Sequence, residues 1–251
     1  MSFPVTVGLN YGDEKLASTV SHGRALGTRG VLPDGRVFYW SQNGAVALAG
    51  TQIVQTRVTP SNSSAHVSGL DVVGVTATGV STITVTIATT NTTADLYADG
   101  FLTIDTSPGT GMYRVKSHPA VASAADGVFT LDEKLREALT SGTTKVGFRP
   151  NPYADVIEYP VTTATGVALG ICPIPVAIAS FFWLQTFGPA LVNTDVAPIA
   201  GVGQVVPSAS AGTAAIATSV LTNAVLQNIG YAPTAAAGAD KYNYIFLSIR
   251  A

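Results

Sequence analysis

Charge is what this sequence has least of. Charged residues make up 11% of its 251 positions, while 47% are hydrophobic, against about 25% charged in an ordinary soluble protein. The deficit is uneven: 22 of the 28 charged residues precede Asn151, and only Asp155, Glu158, Asp195, Asp240, Lys241 and Arg250 follow. Serine, threonine, alanine and glycine take the place of charge, and a surface that neutral is poorly defended against association. The C-terminal hundred residues are therefore the expected place for a packed subunit contact. A net charge of −2 and the lack of any basic stripe exclude a nucleic-acid groove. The richest basic stretch, His22, Arg24, Arg29 and Arg36, reads instead as a solvated segment or a docking contact for an acidic neighbour.

Cysteine is nearly absent. Cys172, set in Gly170-Ile171-Cys172-Pro173-Ile174-Pro175, reads as a small buried hydrophobe, and a single cysteine excludes a disulfide framework within one chain. Histidine is scarce too. With His22, His66 and His118 alone, no metal-ligand spacing of the His-x-x-x-His or Cys-x-x-Cys kind can form. No nucleophile elbow and no phosphate-binding Walker loop occur, and Gly109-Thr110-Gly111 and Gly201-Val202-Gly203 lack the third glycine of a dinucleotide fingerprint. No enzyme, metal or cofactor is expected. Neither a basic leader nor an apolar signal region opens the chain, so no signal peptide is expected. The segment 166–184 is uncharged and long enough to span a bilayer. Pro173 and Pro175 would break the hydrogen-bond ladder that lipid demands, so it reads as two core strands joined by a proline-rich crossing, with no membrane partner.

What is present is mainly β. Ile83, Val85 and Ile87 alternate with Thr82, Thr84 and Thr86, giving one apolar and one threonine face. Strands are expected at 36–41, 53–58, 101–105, 112–116, 144–149, 167–171, 176–187, 191–193, 204–206 and 242–249, with Pro33-Asp34-Gly35 as a turn. Residues 214–226 are ambiguous between helix and strand. Two short helices are expected. One spans 13–22, with acids in its first turn. The other lies near 131–140, where Thr130-Leu131-Asp132-Glu133 has capping-box spacing and Leu131, Leu135 and Leu139 form a stripe. Pro150-Asn151-Pro152 marks a boundary. The expected organisation is an extended N-terminal arm with a hairpin at 1–60, a first β unit at 61–152, and a second, neutral β unit at 153–251, each unit a sandwich or barrel.

Asp95, Asp99 and Asp105 offer carboxylates near one loop, as a calcium site would, but turn chemistry explains Asp99-Gly100 without a metal. Phe38-Tyr39-Trp40 and Phe181-Phe182-Trp183 send alternate rings to opposite faces of a strand, which reads as core on one side and interface on the other.

The segments Leu26-Gly27-Thr28-Arg29, Leu32 to Trp40 and the small residues on to Gly50 and Gln52 resemble the N-terminal region of tailed-bacteriophage structural proteins. Asn151 to Ile157, Phe181 to Ala190, and Ile229-Gly230-Tyr231-Ala232 leading into the terminal strand are similar as well. The class they resemble is the head decoration, or cement, proteins. That resemblance covers most of the chain, and its motifs are structural. It implies a virion protein made in the host cytoplasm, seated outside a capsid lattice, often as a homotrimer, and clamping neighbouring major capsid subunits, with no catalytic residues. The interface residues expected on this basis are Arg24, Arg29, Arg36 and Trp40 from the N-terminal region and Trp183, Gln185 and Phe187 from the neutral half. The alternative is a tail or adhesion protein binding host glycans through exposed aromatics.

Overall fold

A computed structural model describes residues 5–57, 66–88, 91–160, 165–195, 205–208, 211–216, 227–234 and 241–249. Gly201-Val202-Gly203 and most of the ambiguous 214–226 stretch lie outside the described residues. The early strands are β1 (Thr6–Gly8), β2 (Ala17–Ser18), β3 (Arg29–Val31), β4 (Val37–Gln42) and β5 (Gln52–Gln55). Then come β6 (Val67–Asp71), β7 (Thr82–Thr86), β8 (Phe101–Ile104), β9 (Met112–Ser117), β10 (Asp126–Leu131) and β11 (Lys145–Arg149). The last are β12 (Ile157–Glu158), β13 (Ala168–Cys172), β14 (Phe181–Thr194), β15 (Val205–Pro207), β16 (Ala214–Ile216), β17 (Gly230–Tyr231) and β18 (Lys241–Ser248). The protein is mainly β, with barrel-like units.

Two compact units form: 59–152, and 1–58 together with 153–251. The boundary at Pro152 stands where the prolines place it. The first sixty residues, however, are not an extended arm. β4 lies between β3 and β14, pairing Trp40 with Trp183 and Tyr39 with Leu184. Val37-Phe38-Tyr39-Trp40-Ser41 is buried on both faces, so this hydrophobic run is a central strand. Each large apolar side chain buried there contributes about 1.5–3 kcal/mol, which an arm in solvent would forgo. Tyr39 stacks on Tyr153 at 5.1 Å on one side, and Trp40 packs against Phe181 and Trp183 on the other.

In the 59–152 unit, six antiparallel strands run in the order β6-β11-β8-β9-β10-β7. The sheet curls until its edges meet in a bridge between Val72 and Val85. Ile83, Val85, Leu102, Val115, Phe129 and Phe148 fill the inside. The expected helix near 131–140 does not form. Leu131 ends β10, and the next residues form bends and an isolated bridge, Leu135 N–H donating to Val80 O and Leu139 N–H to Thr76 O. Leu131, Leu135 and Leu139 are all buried, so the stripe marks core without marking a helix. Tertiary pairing with 76–80 satisfies the backbone, and an isolated helix of that length is marginal. The 13–22 helix shrinks to one 3-10 turn, Asp13–Lys15.

In the other unit, β14–β16–β15–β17–β18 close back on β14, making a five-stranded barrel. Ala190, Val192, Val205, Ile229, Ile245 and Leu247 fill it. The first half of β14 instead pairs with β4, β2 and β13. The uncharged 166–184 segment is β13, a Pro173–Pro175 crossing and the start of β14. Among the described residues no helix is long and apolar enough to cross a membrane.

Candidate functional site

Two features of the barrel-containing unit can engage another molecule. The first is a cleft of about 260 Å³ lined by Asp13, Leu16, His22, Arg24, Trp40 and Trp183. β4 and β14 supply the two indoles as a direct cross-strand pair, their rings edge to face at 4.9 Å. Ahead of β3, His22 and Gly23 both take left-handed backbone, with φ of 53° and 69°. A non-glycine residue there carries strain that the surrounding structure must hold. The turn brings Arg24 back over the sheet, its guanidinium 5.3 Å from the Trp40 ring and 5.6 Å from the Trp183 ring. Each such contact is worth about 0.5–2 kcal/mol, depending on desolvation. Trp40 is 2% exposed, and its Nε1–H is buried with no acceptor. Leaving a buried donor unmade costs about 1–3 kcal/mol.

The second is the outer face of the barrel. β18 points Asn243, Ile245 and Leu247 inward and Tyr242, Tyr244 and Phe246 outward. Across the ladder Leu191 faces Tyr244, and Pro189 faces Phe246. Tyr231 stacks on Phe246 at 5.1 Å, and Phe187 meets Phe246 edge-on at 5.4 Å. Tyr242 is 62%, Leu191 53% and Tyr231 49% exposed. Beside this stripe a hollow of about 390 Å³ is lined by Arg36, Pro173, Gln185, Leu191 and Tyr244, among others.

Known proteins offer no match. Neither a family model, nor a curated protein, nor a solved structure resembles the chain. The reading therefore rests on where the expected interface residues lie. Trp40, Trp183 and Gln185 are buried and are not open contact residues. The two tryptophans reach a surface only as walls of the cleft, together with Arg24. Gln185 is a brace: its Nε2 donates to Pro189 O at 2.7 Å. Arg36 is held by Asp34 at 2.8 Å, with Glu14 at 4.0 Å, and lies over Phe38. Arg29 lines neither hollow named here. Phe187, half-buried, belongs to the aromatic stripe. Tyr231, Tyr242, Tyr244 and Leu191 were missed as surface residues. The alternation of Tyr244, Phe246 and Ser248 with Ile245 and Leu247 carried the signal, since the face opposite an apolar core face must be the outside.

The remaining polar groups are committed locally. Asp99 and Asp132 flank Arg114, the second pair at 3.5 Å, with all three side chains largely buried. Asp105 accepts from the Gly69 N–H and the Thr103 hydroxyl, and Asp95 from the His118 N–H. The three expected carboxylates thus have separate partners, and no cluster of metal-ligating side chains occurs among the described residues. Cys172 is buried, its thiol donates to Ile174 O, and burial pushes its pKa up to about 12.

Proposed function

We propose that this chain is a virion structural protein of the capsid-decoration class, acting by contact and not by chemistry. It sits on the outer capsid surface, self-associates as a homotrimer, and binds the major capsid protein across joints between capsomers. The observation that carries the reading is the aromatic stripe on the barrel. Phe187, Leu191, Tyr231, Tyr242, Tyr244 and Phe246 line an outer face whose neighbouring sequence carries few charges. A contiguous exposed apolar patch marks an interaction surface, and tyrosines combine apolar area with a polar edge suited to one. The phage-like segments supply the identity of the partner. Repeated over a lattice, even about 800 Å² per partner gives large collective stabilisation through effective concentration.

Two measurements test it. Light scattering over a dilution series is expected to give a trimer that persists at low concentration, and Leu191→Asp combined with Tyr244→Asp is expected to give monomers with unchanged circular dichroism. Sedimentation with shells assembled from the major capsid protein of the same virion is expected to carry the chain down. A monomer that stays in the supernatant would sink the reading.

The exposed tyrosines of the barrel face, 231, 242 and 244, favour one further reading, a tail or adhesion protein stacking host sugars on those rings. A glycan array without a single binder removes it.

A further inference from the structure

We propose that the Arg24–Trp40–Trp183 cleft is a carboxylate-binding site, whether or not the chain decorates a capsid. Both tryptophans of the chain line it, and Arg24 is stacked over both indoles. No carboxylate among the described residues lies within ion-pair distance of the Arg24 guanidinium, in contrast to Arg36, Arg57, Arg114 and Lys145, which are all paired. A guanidinium stacked on aromatic faces keeps its N–H donors in a planar fork suited to a carboxylate. Trp40, which lines the cleft, also carries a buried Nε1–H without an acceptor. The left-handed turn at His22 and Gly23 leads directly into Arg24, which stacks on the indoles with no ligand present.

The surroundings set the charge of the ligand. Asp13 lines the same cleft, and its carboxylate accepts from the Asn10 N–H at 2.9 Å. One arginine opposed by one aspartate admits a single negative charge and disfavours a phosphate dianion. The indole walls and exposed Leu16 favour an apolar stem behind the carboxylate. A short acid with a methylene stem meets all three conditions, and an aspartate or glutamate side chain of a protein partner carries the same chemistry as a free small acid.

The test uses the two indole N–H signals in the ¹⁵N–¹H spectrum of the full chain, both from tryptophans that line this cleft. N-acetyl-glutamate amide, N-acetyl-glutamine amide and butyrate are titrated separately. The acidic probes are expected to shift the Trp40 signal saturably, with the neutral glutamine probe at least ten-fold weaker. Arg24→Gln is expected to lose at least ten-fold in affinity with the fold retained by circular dichroism, although the lost stacking on both indoles lowers its melting temperature, and Asp13→Asn to gain several-fold. If the peptide probe binds ten-fold tighter than butyrate, the ligand is an acidic residue of a partner. Equal affinities identify a free small acid. Equal response to the glutamate and glutamine probes, no response to either acid, or full binding by Arg24→Gln overturns the proposal.

Discussion

His118 is the residue whose chemistry is most tightly set by its surroundings. It is buried against Tyr97 and Phe129. The Tyr97 amide donates to its Nε2 at 3.0 Å, and its Nδ1 lies 2.8 Å from Pro119 O. A ring nitrogen that accepts from an amide carries no proton, so Nδ1–H is the donor and the imidazole is neutral. Burial lowers its pKa below the ordinary 6.5, and the Pro119 carbonyl and the Asp95 charge only partly offset this. The unfolded chain therefore binds a proton that the folded unit refuses. The stability involved is complete above the unfolded value of about 6.5 and is lost as pH falls through the lowered folded pKa. Calorimetry at pH 7.5 and 5.0 is expected to show the 59–152 transition melting lower in acid, and His118→Gln, which cannot titrate, is expected to flatten that dependence. An equal slope in both proteins would show that the acid sensitivity lies elsewhere. His118 was visible in the sequence only as one of three histidines. Its role depends on Tyr97, twenty-one positions away, which no local pattern reveals.

At the scale of elements, β14 decides the architecture of its unit. Its N-terminal half belongs to the sheet with β4, and its C-terminal half belongs to the barrel with β18. The changeover falls at Gly188, with φ of 88°. Gly188-Pro189 reads in sequence as a turn ending a strand, because proline has no N–H to donate and glycine permits left-handed backbone. The strand instead continues, since Gln185 reaches across the bend to the Phe187 and Pro189 carbonyls. That brace depends on a side chain's direction in the folded state, so the turn residues were legible and the continuity was not. Alternating strands such as Thr82–Thr86 were legible because one face meets core and the other does not. The leucines at 131, 135 and 139 misled for the converse reason: their spacing reports burial, which is not unique to a helix. Gly188→Ala is expected to cost about 1–2 kcal/mol from the left-handed backbone alone. The added Cβ would also lie 3.0 Å from Arg36 Cγ. Denaturant midpoints would show this as a lower midpoint at unchanged slope. Gly8→Ala, where a Cβ meets nothing within 4 Å, is the control expected to change little.

For the whole molecule, chain order and structural order diverge. The 59–152 unit is continuous in sequence and has its own core. The other unit is assembled from both ends of the chain, and β4 from the N-terminal segment packs Phe38, Tyr39 and Trp40 into its core. The proline boundary at 150–152 was legible because it is local. The union of 1–58 with 153–251 was not, because nothing in either segment names its partner strand. Removing residues 1–40 therefore does not trim an arm. It takes β1, β2, β3 and most of β4, leaving the first half of β14 without its β4 and β2 partners, though still paired with β13, and exposing the face of Phe182 and Leu184. Phe and Leu side chains in such cores each cost about 2–5 kcal/mol when their packing is lost, which several together raise beyond the 5–15 kcal/mol that holds a domain folded. Calorimetry of the shortened chain is expected to lose one transition and keep the acid-sensitive one, and residues 59–152 expressed alone are expected to melt cooperatively at the temperature of the one that survives. A shortened chain that retained both transitions would mean that β14 holds its barrel without β4, and the two ends would then be independent after all.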